Sequence, residues 1–226
     1  MNIRELLPAR LAQAHQRTAG NQPAGGWYEI SNATDEDRAR VDLYDVIGEW
    51  GITAGQFVRE LRNIDAEVIE LHINSPGGLI HDGLTIYNAL LDHPARVEAI
   101  VDGIAASSAS WILQAGDTRT MNRHTELFIH DGWALTIGDQ DTHTEAADLL
   151  GRLSDNIAGI YAGRAGGTVS EWRDAMRAET WYTAAETVDA GLADDMIADA
   201  GTENTHTARA RLATARARAH HRERAA

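Results

Sequence analysis

An α/β domain with a substantially parallel sheet is the fold class this chain predicts, on three observations. Short apolar runs rich in β-branched residues alternate with helical patterns through its middle, the mark of parallel strands joined by helical crossovers. Its 226 residues, 43% of them hydrophobic, suffice for a large core in one main domain. No run approaches the roughly 18 to 20 apolar residues that a membrane span needs.

Taken in order, residues 1–26 carry a short amphipathic pattern on Leu6, Leu7, Leu11 and Ala14. The breaker-rich stretch Gly20-Asn21-Gln22-Pro23-Ala24-Gly25-Gly26 follows and reads as a linker. Residues 27–199 form the domain. Strands are expected near Val41–Ile47, Val68–Ile73, Val97–Val101 and Leu127–His130, with helices near Thr53–Asn63, Gly83–Leu91 and Ser107–Ala115. A long helix is expected near 141–162. Across Thr144–Tyr161 it places Ala146, Leu149, Leu150, Leu153, Ile157 and Ile160 at spacings of three and four, a stripe that wants a partner surface. Two later helix starts carry capping boxes, Thr168 with Glu171 and Thr183 with Glu186, and Gly191 stops the last short helix. Residues 200–226, with six arginines against two glutamates and Leu212 as the sole anchor, read as a basic tail that is largely disordered in solution.

Composition excludes several chemistries. Without cysteine there is no disulfide framework, thiolate metal site or cysteine nucleophile. All twenty basic residues are arginine, so lysine Schiff-base and Ser-Lys mechanisms are closed. A net charge of −14 argues against a nucleic-acid partner for the main body, since phosphate binding needs a basic surface. The histidines offer no trustworthy metal spacing; His72, His81 and His93 lack a companion set.

Three places look unlike packing. In Ile73-Asn74-Ser75-Pro76-Gly77-Gly78 an apolar strand runs into a tight turn whose amides can hold an oxyanion. In Gly103-Ile104-Ala105-Ala106-Ser107-Ser108-Ala109-Ser110-Trp111 a strand ends in small residues before a helix, so a serine there sits by the positive helix end with room for a carbonyl to approach. In Leu127-Phe128-Ile129-His130-Asp131-Gly132-Trp133 a strand end delivers His130, suited to act as a general base. Each has a plainer reading by itself: a turn, a helix N-cap and a surface histidine.

Together these residues are more specific. INSPGG at 73–78, GIAAS at 103–107, AG at 115–116, FIH at 128–130 and WYTAAETVDAGLAD at 181–194 resemble the ClpP serine peptidase family, and within it most nearly the ClpP-like head maturation proteases of tailed phages and prophages. The resemblance spans about residues 27–198. It implies the crotonase-like spiral of β-β-α units, a Ser107 nucleophile, a His130 base, and an oxyanion hole from the amides of Gly78 and Ser108. The third triad member, an aspartate in that family, falls on Glu179, with Asp174 as a nearby alternative. Ser108-Ala109 replaces the family's common Met-Gly, which changes side chains and leaves the amide.

The implied activity is serine endopeptidase, without metal or cofactor, acting on scaffold or capsid protein from a ring-forming homo-oligomer in the host cytoplasm or procapsid interior. One alternative is a bacterial self-compartmentalised peptidase paired with an ATP-dependent unfoldase. Further alternatives are a catalytically inactive capsid-assembly protein and an acyl-CoA-handling crotonase, which shares the fold and paired-amide hole without a serine nucleophile.

Overall fold

A computed structural model describes residues 28–32, 38–48 and 53–197. The expected N-terminal extension and the basic tail at 200–226 lie outside the described residues. Strand β1 (Tyr28–Asn32) pairs antiparallel with β2 (Arg38–Tyr44). From β2 the sheet continues in parallel through β3 (Val68–Ser75), β4 (Arg96–Ala106), β5 (Thr118–Met121) and β8 (Asp195–Met196). Helices α1 (Ala54–Leu61) and α2 (Ile80–Leu91) make the crossovers flanking β3. This is the mixed α/β, ClpP/crotonase-like architecture that the alternation and the resemblance predicted.

One strand decides where the site falls. β4 runs for 11 residues, and its first half pairs β5 over Glu98–Val101 while its last three residues pair β6 (Glu126–Ile129) instead. The sheet forks there. Between the halves the register with β3 shifts, from Ile73 opposite Val101 to Ser75 opposite Ala105. Gly103 lies in this irregular stretch, where a Cβ would come 2.5 Å from Asn74 Oδ1. β6 in turn pairs antiparallel with β7 (Thr180–Thr183).

Several boundaries differ from expectation for local reasons. β2 ends at Tyr44 rather than Ile47 because Asp45 takes φ +69°, which no strand accommodates; Ile47 returns only as an isolated parallel bridge to Gly78. α2 begins three residues before Gly83. The helix expected over Ser107–Ala115 is α3 (Ser108–Ile112) closing in a 3₁₀ turn over Leu113–Ala115. The long helix α4 reaches Gln140–Ala165, its start fixed by Asp139, whose carboxylate accepts from the Thr142 amide. Both capping boxes form, opening α5 (Val169–Arg177) and α6 (Ala184–Asp189), and Gly191 follows α6 at φ +75°.

The core lies between the sheet and its helices, with Phe57, Trp111 and Tyr161 among its largest buried side chains. Burying each such side chain contributes about 1.5 to 3 kcal/mol before ordering costs. α4 joins this core through Ser154, Ile157, Ala158 and Tyr161 in its second half, whereas Leu149 near its middle is exposed. No helix among the described residues is long and apolar enough to cross a membrane.

Candidate active site

Two turns and one strand end converge. After β3 the chain turns through Pro76-Gly77-Gly78, and Ser75 fastens the turn: its hydroxyl donates to the Asp45 carbonyl at 2.5 Å and accepts from the Gly77 amide at 3.1 Å. Gly77 takes φ +89°, and a Cβ there would meet Ala106 O at 2.5 Å and Ser107 Cβ at 2.6 Å. Only glycine permits this approach. Gly78 lies as tightly against Ile47, where a side chain would strike the Ile47 carbonyl. The bridge to Ile47 uses the Gly77 carbonyl and the Leu79 amide, so it leaves the Gly78 N–H unused.

Ser107 follows β4 directly and sits at φ +53°, ψ −124°, a conformation that costs a non-glycine residue about 1 to 3 kcal/mol. Its position is over-determined. The Ser107 amide donates to Phe128 O at 2.9 Å, its carbonyl accepts from both the amide and the hydroxyl of Ser110, and Gly77 presses on its other side. Although Ser107 occupies the N-cap of α3, its side chain makes no capping bond. Its Oγ instead lies 2.8 Å from His130 Nε2, with both residues only 8% exposed. The Ser108 N–H is the first of α3 and has no ladder partner, as for any helix start.

His130 comes one residue after β6, and its ring is held by stacking. Phe128, two residues earlier and therefore on the same face, stacks on His130 at 5.2 Å between centroids, and Trp181 stacks on Phe128 at 4.4 Å. Burial lowers the His130 pKa; the Asp131 backbone and the negative charges of Glu179 and Asp131 push the other way without overcoming it. The imidazole therefore stays neutral near pH 7, as a proton acceptor must.

The remaining sequence-derived residues separate clearly. The β6–β7 register sets Phe128 opposite Trp181 and Ile129 opposite Thr180, so one step further sets His130 opposite Glu179. Glu179 turns at φ +51° and acts on the ring through its charge; no hydrogen bond between them is formed in this state. Asp174 is exposed and pairs with Arg177 at 3.0 Å. Of the neighbouring serines, Ser110 is structural, its buried hydroxyl bonded to Ser107 O at 2.5 Å and Tyr161 OH at 2.6 Å. The Ser108 hydroxyl is buried without a partner.

Sequence reasoning missed the aromatic stack, although Phe128 and His130 at a spacing of two on one strand carried that signal. It missed a buried arginine, Arg173, bonded to Asp131, and single-sequence reading holds no sign of such a pair. It also left His72 without companions. Asp42, His72 and Asp102 in fact bring one ligand atom each to within 4.8 Å of one another on adjacent strands. These groups already have donors. Arg40 grips Asp42 through Nε and Nη2, while Asp102 takes bonds from Tyr44, His72 and Asn122 at 2.7 Å each, so the trio reads as a satisfied polar network on the sheet.

A strained serine at a strand-to-helix turn, an imidazole in hydrogen-bond contact with it and glycine amides alongside define the class of serine hydrolases. Comparison with known proteins narrows this. The chain belongs to the Clp protease family, whose model matches residues 52–200. It is 26% identical over 184 residues to an ATP-dependent Clp protease proteolytic subunit of Chlorella vulgaris, covering 79% of this chain and 90% of that one. It is 31% identical over 137 residues, 60% of this chain and 70% of the other, to the subunit of Pleurastrum terricola that bears the same name. Against proteolytic subunit 3 of Streptomyces coelicolor it is 30% identical over 134 residues, 57% of this chain and 60% of that one. The chain is accordingly a ClpP-type serine peptidase.

Proposed function

We propose that this peptidase is an endopeptidase working through Ser107 as nucleophile, His130 as general base, Glu179 as the acid behind it, and the Gly78 and Ser108 amides as oxyanion donors. The observation that carries the reading is the 2.8 Å contact from Ser107 Oγ to a buried imidazole. His130 Nε2 takes the hydroxyl proton as Oγ attacks the peptide carbonyl, and the two amides receive the developing negative charge. Each such donor is worth about 3 to 4 kcal/mol in the transition state. His130 then gives the proton to the leaving amine. Water enters, loses its proton to the same nitrogen, and frees the acyl group. Glu179 stabilises the imidazolium formed in each step, and rotation of its exposed side chain toward Nδ1 completes the triad.

The substrate we assign is a scaffold or capsid protein of a phage or prophage, cleaved by a ring of subunits in the host cytoplasm or procapsid interior. The motif-level resemblance to head maturation proteases supports it. A second reading, partnership with an ATP-dependent unfoldase, is favoured by the names of the curated relatives. Mass spectrometry of products separates the two. Discrete cuts in a co-expressed capsid or scaffold protein without ATP support maturation, and processive, ATP-dependent degradation of a folded substrate supports the unfoldase reading. A fluorophosphonate adduct on Ser107 tests the chemistry common to both.

A further inference from the structure

The segment that follows His130 is tied down from a helix with no other part in the site. Arg173, on α5, is 7% exposed, and its Nη2 reaches Asp131 Oδ2 at 3.0 Å. Its Nη1 bonds the Gly151 carbonyl at 2.9 Å and Asp155 Oδ1 at 2.7 Å, both on α4. One residue on, the Gly132 amide donates to Ser154 Oγ at 3.0 Å, again on α4. Two helices thus grip the dipeptide after the histidine. The pair is an expensive way to gain stability: Asp131 Oδ1 and Arg173 Nε are both buried without a hydrogen-bond partner. A contact built for stability alone would have satisfied them or been apolar.

What the grip holds is the backbone that carries the imidazole. Nε2 is taken by Ser107, and Asp131, the next residue along the chain, acts on the ring through its backbone and its charge. The position of that residue sets how the imidazole presents Nε2 to Ser107. Rested on the assignment of His130 as base, we propose that Arg173 is a positioning residue: by clamping Asp131 to α4 it holds the backbone next to His130 and so the orientation of the ring, and it neutralises the Asp131 carboxylate beside it.

The charged groups facing the imidazole are Glu179, between α5 and β7, and Asp131 on its own loop, with Arg173 and Asp155 behind Asp131. Removing the guanidinium uncovers the Asp131 charge and moves the base midpoint upward; removing the Asp131 charge moves it downward. The test uses the full chain and follows the rate of fluorophosphonate adduct formation at Ser107 against pH by intact-mass spectrometry, alongside thermal melts. Arg173→Gln should lower the plateau rate tenfold or more and raise the pH midpoint, with Arg173→Lys restoring the midpoint. Asp131→Asn should lower the midpoint. Arg177→Gln, an exposed change on the same helix, should match the parent chain. A folded Arg173→Gln with the parent's rate and midpoint overturns the proposal, as does an unmoved midpoint in Asp131→Asn where Arg173→Gln fails to fold. Absence of any Ser107 adduct in the parent chain overturns the site assignment itself, and the positioning role with it.

Discussion

Ser107 holds an unfavourable backbone conformation because three neighbours leave it no other, and its energetics can be separated from its chemistry. Ser107→Ala should abolish peptide cleavage while the melting temperature holds or rises, since alanine removes the hydroxyl and leaves every backbone bond in place. Ser110→Ala should do the reverse. It leaves the fully buried Tyr161 hydroxyl without its partner, so we expect a loss of about 1 to 3 kcal/mol in urea unfolding with most of the cleavage kept. Gly77→Ala should lose both, because its φ of +89° and the 2.5 Å approach to Ala106 O admit no Cβ. For the acid, Glu179→Gln should cost several orders of magnitude in kcat at an unchanged fold, whereas the solvent-facing Asp174→Asn should be nearly silent. Steady-state kinetics with a fluorogenic peptide would show the opposite pattern if Asp174 were the acid.

The last strand depends on a single buried cation. Arg119, on β5 and 6% exposed, bonds Gln114 and the Gly191 carbonyl and reaches Asp194 Oδ1 at 2.5 Å. The Asp194 carboxylate also takes the Arg119 amide at 2.8 Å. Asp194→Ala strands that guanidinium, and we expect a loss of about 2 kcal/mol, below the figure for a fully buried pair because Asp194 is itself half-exposed. Hydrogen exchange should show β8 opening first. None of this was legible in the sequence, where Arg119 and Asp194 stand far apart and β5 and β8 are too short to leave a pattern. Elements with local signals fared better: Thr168 with Glu171 and Thr183 with Glu186 name their own helix starts, and long apolar runs marked β3 and β4. Glu179 was reachable only by resemblance, since its place opposite His130 depends on the β6–β7 register, a long-range pairing that one sequence does not encode locally. The strain at Ser107 and the Arg173 clamp were invisible for the same reason: both arise from contacts between distant segments.

Across the whole molecule, acid should be the weak side of stability, and the sign follows from which groups titrate differently once folded. His130 and His93 are lowered by burial, so as pH falls below about 6.5 the unfolded chain takes up protons that the folded one refuses. Stability from this source is complete above that pH and drains away down to the folded pKa values. The carboxylates add to the loss lower down. Asp194 is lowered by its bonds to Arg119, and Glu171 and Glu186 by the capping bonds of Thr168 and Thr183, so each stabilises the fold above the ordinary carboxylate range and ceases to as pH falls through its own lowered pKa. The two sets act in the same direction. Urea midpoints should therefore change little from pH 8 to pH 7, decline from about pH 6.5, and decline further below the ordinary carboxylate pKa of about 4. His130→Phe isolates the first step: a folded variant should lose part of the decline between pH 6.5 and 5 while keeping the carboxylate limb, and an unchanged upper limb would mean that His130 is not held neutral by its surroundings.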